Sequence, residues 1–186
     1  MKKITIRRYA YASTIGIFSF VVAFLLGTPL NIALSPLMGG IINAIITAMI
    51  VGIGCKGVEK FGYSIVIWVV FSIPAIFTFT MGMPGAHKIA IAFITGLVMD
   101  VLFKLIKRSH ISYFIVGGIM SDVMTVLTLF AMMILNISPE SVEKLSKYIW
   151  YLLPLYFVMG GLGMFLGSKV FDKRFKNLNI IKSLNE

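Results

Sequence analysis

Acidic residues are scarce in this chain: seven Asp and Glu stand against 17 Lys and Arg in 186 residues, a formal net charge of +10. Charge of either sign is thin, at 13% of all residues. A single cysteine, Cys55, excludes an intramolecular disulfide and reads as a small apolar filler near a helix end. The two histidines, His87 and His110, are too few for a metal set and fall on opposite sides of the membrane in the topology below, so no metal site is expected. There is no Gly-x-x-x-x-Gly-Lys loop to cradle a nucleotide phosphate, no His-Glu-x-x-His and no Gly-x-Ser-x-Gly. These absences argue against an enzyme, and no motif asks for a cofactor.

What the chain has in abundance is apolar surface. Hydrophobic residues make up 59% of it and the mean hydropathy is +0.96. A soluble fold of this size cannot hide that much from water, so lipid must cover it. The basic excess, which might otherwise suggest nucleic acid, sits at the ends of long apolar runs, where it serves topology. The stretch behind Lys2, Lys3, Arg7 and Arg8 runs on to Gly27 with no small-x-small cleavage pattern after it. It reads as a first membrane helix, not a secretory signal.

The pattern predicts an all-α integral membrane protein, a single transmembrane domain over residues 1–186 with six spans near residues 9–26, 37–54, 63–80, 87–106, 111–137 and 148–171. Gly27-Thr28-Pro29 is expected to close the first helix, Pro74 to kink the third, and Ser138-Pro139-Glu140 to start a helical turn ahead of the sixth. With both termini placed in the cytoplasm, 14 of the 17 basic residues lie inside, leaving Lys88, Lys144 and Lys147 outside. That asymmetry sets the orientation in a cell membrane.

Small residues mark where helices touch in lipid. Gly40, Ala44, Ala48 and Gly52 form a row at four-residue spacing in the second helix, and Gly160, Gly161, Gly163 and Gly167 cluster in the sixth. In the first helix, Ala12 and Gly16 make a shorter pair. Each row serves either internal packing or docking on another membrane subunit, and Ala12 with Gly16 is the first candidate for docking.

Polar groups at membrane depth are the chemical candidates. Lys88, Ala92, Gly96, Asp100 and Lys104 recur every four residues in the fourth helix, with Asp100 about 18 Å from Lys88 along the axis. Lys104, one turn away, is the natural partner of Asp100. Asp122 lies at comparable depth beside Ser121 and Thr125, without a basic residue in its own helix. Both acids follow a glycine in a Gly-x-x-x-Asp-Val string, so the fourth and fifth helices can approach closely and bring the acids into one polar pocket. The pair is then either a proton or cation site, or structural. Near the outer face, His87 and Lys88 open the fourth helix, Asn136 ends the fifth, and Tyr148, Trp150 and Tyr151 open the sixth. Those aromatics form an interfacial belt, or else the walls of a pocket whose basic end takes an acidic group.

Size, six helices, a basic tail and the Pro84-Gly85-Ala86-His87-Lys88 opening together resemble the substrate-binding (S) subunits of energy-coupling-factor transporters, which take up vitamins and their precursors. The resemblance implies a small-molecule pocket in the outer half, walled by the later helices and covered by the connection between the first two. The residues expected near the ligand are His87, Lys88, Asn136, Trp150 and Tyr151. It also implies that the first helix docks on a transmembrane coupling subunit through an Ala-x-x-x-Ala motif, here Ala12-Ser13-Thr14-Ile15-Gly16, with separate ATPase subunits supplying energy. The competing readings are a self-sufficient proton-coupled carrier using Asp100 and Asp122, and a membrane scaffold without a ligand.

Overall fold

A computed structural model describes residues 2–33, 36–80, 84–136 and 139–185, with the side chains at 2–5, 30–33, 36–39, 140, 141, 144, 145, 180 and 185 left aside. Every described element is helical: α1 (Lys2–Ala33), α2 (Pro36–Gly57), α3 (Tyr63–Ala75), α4 (His87–Leu105), α5 (His110–Ile134), α6 (Pro139–Val170), a π turn (Phe171–Phe175) and α7 (Asn179–Asn185). Four of them contain segments long and apolar enough to cross a membrane: Ile6–Pro29, Gly40–Gly57, His110–Ile134 and Ser146–Phe175.

Three boundaries depart from the sequence reading. The first helix does not close at Gly27-Thr28-Pro29 but runs on to Ala33, with Pro29 inside it. Neighbouring helices in an apolar setting make an internal proline tolerable, and here Gly27 sits against the amide of Asn43 on α2. The sixth helix begins before residue 148: the helical turn expected ahead of it is continuous with it, and α6 starts at Pro139, where a proline has no intrahelical N–H to lose. The third helix ends at Ala75, one residue after Pro74, so at 13 residues it is about 20 Å long.

The six longer helices close into a ring in the order α1, α2, α6, α5, α4, α3, with α3 returning to α1. Lipid supplies no hydrophobic drive between helices, so close backbone approach must hold the ring. At the α3–α4 seam a Cβ on Gly96 would sit 2.6 Å from Ile65 Cα. At the α5–α6 seam a Cβ on Gly160 would fall on Ser121 Oγ and lie 2.7 Å from Gly117 O. Ala48 and Gly52 meet Gly163 and Met164 across the α2–α6 seam, so that small-residue row serves internal packing. The core that results includes Trp68 and Phe71 of α3, Met99 of α4 and Tyr113 of α5. Trp68 Nε1 donates to Met99 Sδ at 3.0 Å, tying α3 to α4.

The first ends of α1 and α5, the last turns of α2, α4 and α6, and α7 share one end of the bundle. Arg8 donates to Leu184 O, Arg108 donates to Cys55 O at 3.1 Å, and Lys56 pairs with Asp172 at 3.5 Å. Both ends of the chain therefore lie together, at the end richest in Lys and Arg.

Candidate functional site

The four-residue row on α4 has a clear purpose in the structure. Lys88, Ala92, Gly96 and Asp100 are all buried, and the row faces α3. At one end Asp100 Oδ2 accepts from Gly62 N at 2.9 Å and Ile65 N at 3.4 Å, capping the start of α3. Gly62, at φ 95°, adopts the left-handed conformation that presents its N–H to the carboxylate. At the other end the Lys88 ammonium, 0% exposed, donates to Ala75 O at 2.8 Å, Thr78 O at 2.6 Å and Thr80 O at 2.7 Å. An ammonium has three N–H donors, so all of Lys88's are used.

The spacing explains the match. Twelve residues of α4 span about 18 Å, close to the length of α3. The helices are antiparallel, so the carboxylate meets the positive end of the α3 dipole and the ammonium its negative end. Lys88 opens α4 itself, where a cation is electrostatically misplaced; it reaches across to the carbonyls that end α3. Lys104 is exposed and makes no ion pair with Asp100 among the described residues. The expected Asp100–Lys104 partnership is replaced by backbone N–H groups, because the buried face of α4 drifts away from Lys104 after Asp100.

The two acids are not brought into one pocket. Gly96 packs on α3, whereas Gly118 packs on Phe157 of α6, so the matching Gly-x-x-x-Asp strings address different neighbours. Asp122 lies one turn beyond Gly118. Its Oδ1 is buried and has no hydrogen-bond partner among the described residues. Thr125 donates back to Ser121 O at 2.8 Å, in its own helix, and leaves Asp122 unassisted.

The expected outer pocket residues scatter. Trp150 and Tyr151 are each 79% exposed on the outside of α6, and Asn136 is exposed just past α5 with φ 50°. His87 is half-buried, with Nε2 enclosed and unpartnered among the described residues. Since α5 stands between α4 and α6 in the ring, His87 and Lys88 do not face Trp150 and Tyr151. The connection between α1 and α2, expected to cover the pocket, lies outside the described residues at 34 and 35. Ala12 and Gly16 are buried; a Cβ on Gly16 would approach Ile67 O to 2.5 Å. This pair packs α1 on α3 and is not displayed for a docking subunit, because a 32-residue helix in a closed ring needs a close seam to its neighbour.

A polar cluster that sequence reading did not anticipate lies at the basic end. His110 Nδ1 is 2.8 Å from Ser168 Oγ, and Asp172 Oδ2 is 3.5 Å from both His110 Nε2 and Lys56 Nζ. The Ser-His-Asp composition is not a nucleophilic arrangement. Ser168 is fully buried, and its hydroxyl donates to Phe165 O at 2.8 Å. These partners are separated by more than 50 residues in sequence, and no local pattern announces them. Among the described residues no three His, Cys, Asp or Glu side chains group as metal ligands.

Compared with protein-family models, curated proteins and solved structures, the chain shows no significant match. The geometry defines an all-helical, membrane-embedded type of protein.

Proposed function

We propose that the chain crosses the cell membrane six times with both termini in the cytoplasm, and that it is the small-molecule binding subunit of an uptake transporter of the energy-coupling-factor kind. The short α3 and the charged α4 are the two helices whose insertion needs explaining. Their mutual capping supports spanning: α3 takes up the Lys88 ammonium and one oxygen of Asp100, leaving Asp100 Oδ1 buried and unpartnered among the described residues, so the pair enters lipid as a hairpin with most of its charge engaged. The gathering of basic residues at the end shared by both chain termini supports the orientation.

The observation that carries the binding role is Asp122 Oδ1, buried at the α5–α6 seam without a donor among the described residues. Such an oxygen is costly in an apolar setting, and a polar ligand would relieve it. Asp122 and His87 thus replace Lys88, Trp150 and Tyr151 as the residues for a ligand to engage. In this reading a vitamin-sized nutrient is bound here, while a coupling subunit and ATPases deliver the energy.

The same oxygen favours one rival, a self-sufficient proton-coupled carrier. Native mass spectrometry of the gently purified protein separates the two. A co-purified small molecule lost in Asp122→Asn, or an attached coupling subunit, supports the binding subunit. Transport by the purified chain alone in liposomes, abolished by Asp122→Asn, overturns it in favour of the carrier.

A further inference from the structure

At the basic end of the bundle a cavity of about 590 Å³ opens between the last turn of α2, the π turn and α7. Phe171 and Ile181, both buried, give it an apolar wall, while Lys56, Lys176 and Lys182 bring three ammonium groups to it. Glu59 and Asp172 also line it, but both are engaged by Lys56, at 4.0 Å and 3.5 Å. Lys176 and Lys182 are exposed and make no ion pair among the described residues, and three lysines against two carboxylates leave the lining with a net positive charge.

The cavity is built, not incidental. Its α7 wall is held by Arg8, which donates to Leu184 O, and by the burial of Leu184 and Ile181 beneath the bundle. The π turn, a geometry frequent at functional sites, brings Lys176 N back onto Phe171 O at 3.0 Å. Lys176 and Phe171 both line the cavity. The volume falls in the range of small-ligand sites, about 300–1,000 Å³.

We infer that this cavity binds the phosphate headgroup of an anionic phospholipid, with Lys176 and Lys182 on the phosphate. The cavity also lies where helices long enough to cross a membrane end, at the level of headgroups. The inference does not depend on what the outer half binds, since it uses none of those residues.

The test is lipid retention by the full chain in micelles, read by native mass spectrometry with phosphatidylglycerol, phosphatidylcholine of the same acyl chains, and inorganic phosphate as probes. Juxtamembrane lysines each strengthen binding to anionic lipid about fivefold, so Lys176→Gln with Lys182→Gln should weaken phosphatidylglycerol binding roughly 25-fold. Lys104→Gln with Lys107→Gln, at the same end but away from the cavity, should leave it within about twofold. Both variants alter exposed side chains, and unchanged emission from buried Trp68 would show that the fold is intact. Equal retention of the two lipids, a double variant that binds as wild type, or an equal loss in the control pair overturns the inference. So does displacement of the lipid by millimolar inorganic phosphate, which would make this a free-anion site.

Discussion

Lys88→Met tests whether the ammonium beneath α3 holds the fold or awaits a ligand. Methionine keeps most of the unbranched side chain, so packing along the α3–α4 seam survives while the three charged hydrogen bonds go. The consequences differ by carbonyl. Ala75 O keeps Thr78 N at 3.0 Å and Thr78 Oγ1 at 3.2 Å as donors. For Thr78 O and Thr80 O, Lys88 is the donor found among the described residues. Two stranded carbonyls at about 1–3 kcal/mol each give a loss of about 2–6 kcal/mol. Taking about 3 kcal/mol, the midpoint of thermal unfolding should fall by roughly 6–12 °C for a chain of this size. Emission from Trp68 in a Trp150→Phe background reports the seam directly, because Trp68 bonds Met99 across it. Asp100→Asn should cost less, about 1 kcal/mol, since the amide oxygen still accepts from Gly62 and Ile65 and only the charge at the dipole is lost. The two losses should add, being about 18 Å apart. An unfolding midpoint for Lys88→Met equal to wild type would refute the reasoning, and a selective loss of ligand affinity with stability intact would return Lys88 to the binding site.

Gly160→Ala should destabilise the bundle by about 1–3 kcal/mol through collision with Ser121 and Gly117, as measured by thermal melts in detergent. Gly16→Leu should lower stability too, because the residue is packed on Ile67 and Val70; loss of a partner subunit with an unchanged melting point would contradict that placement. Trp150→Ala combined with Tyr151→Ala should change stability by no more than about 0.5 kcal/mol and leave ligand retention unaltered, both side chains being largely exposed.

What was legible in the sequence is what composition and periodicity encode. Long apolar runs announced the helices, the four-residue rows announced the seams, and the burial of Gly163 and Gly167 against α2 follows from the rule that small residues mark contact. The row from Lys88 to Asp100 was visible as a face, but its meaning was not. Periodicity says that residues share a side of a helix, never which helix lies opposite, and the relevant match was between α4 and the length and polarity of α3. The placement of the expected outer residues was hidden for the same reason. His87 and Trp150 belong to helices that the ring order separates by α5. The cluster of Lys56, His110, Ser168 and Asp172 joins three distant segments at one end of the bundle and had no sequence signal to read.

The distribution of satisfied charge narrows the functional question. Four ionisable residues of α4, His87, Lys88, Asp100 and Lys104, fall in a segment that would otherwise cross a membrane poorly, and α3 takes up Lys88 and one oxygen of Asp100. Lys104 reaches the surface at the basic end. Left at depth are Asp100 Oδ1 and Asp122, in α5, whose neighbours Ser121 and Thr125 give it nothing: Ser121 lies against Gly160, and Thr125 bonds its own helix. Asp100 and Asp122 each keep one buried, unpartnered oxygen, but Asp100 anchors the other on backbone N–H groups of α3, whereas Asp122 has no hydrogen-bond partner among the described residues.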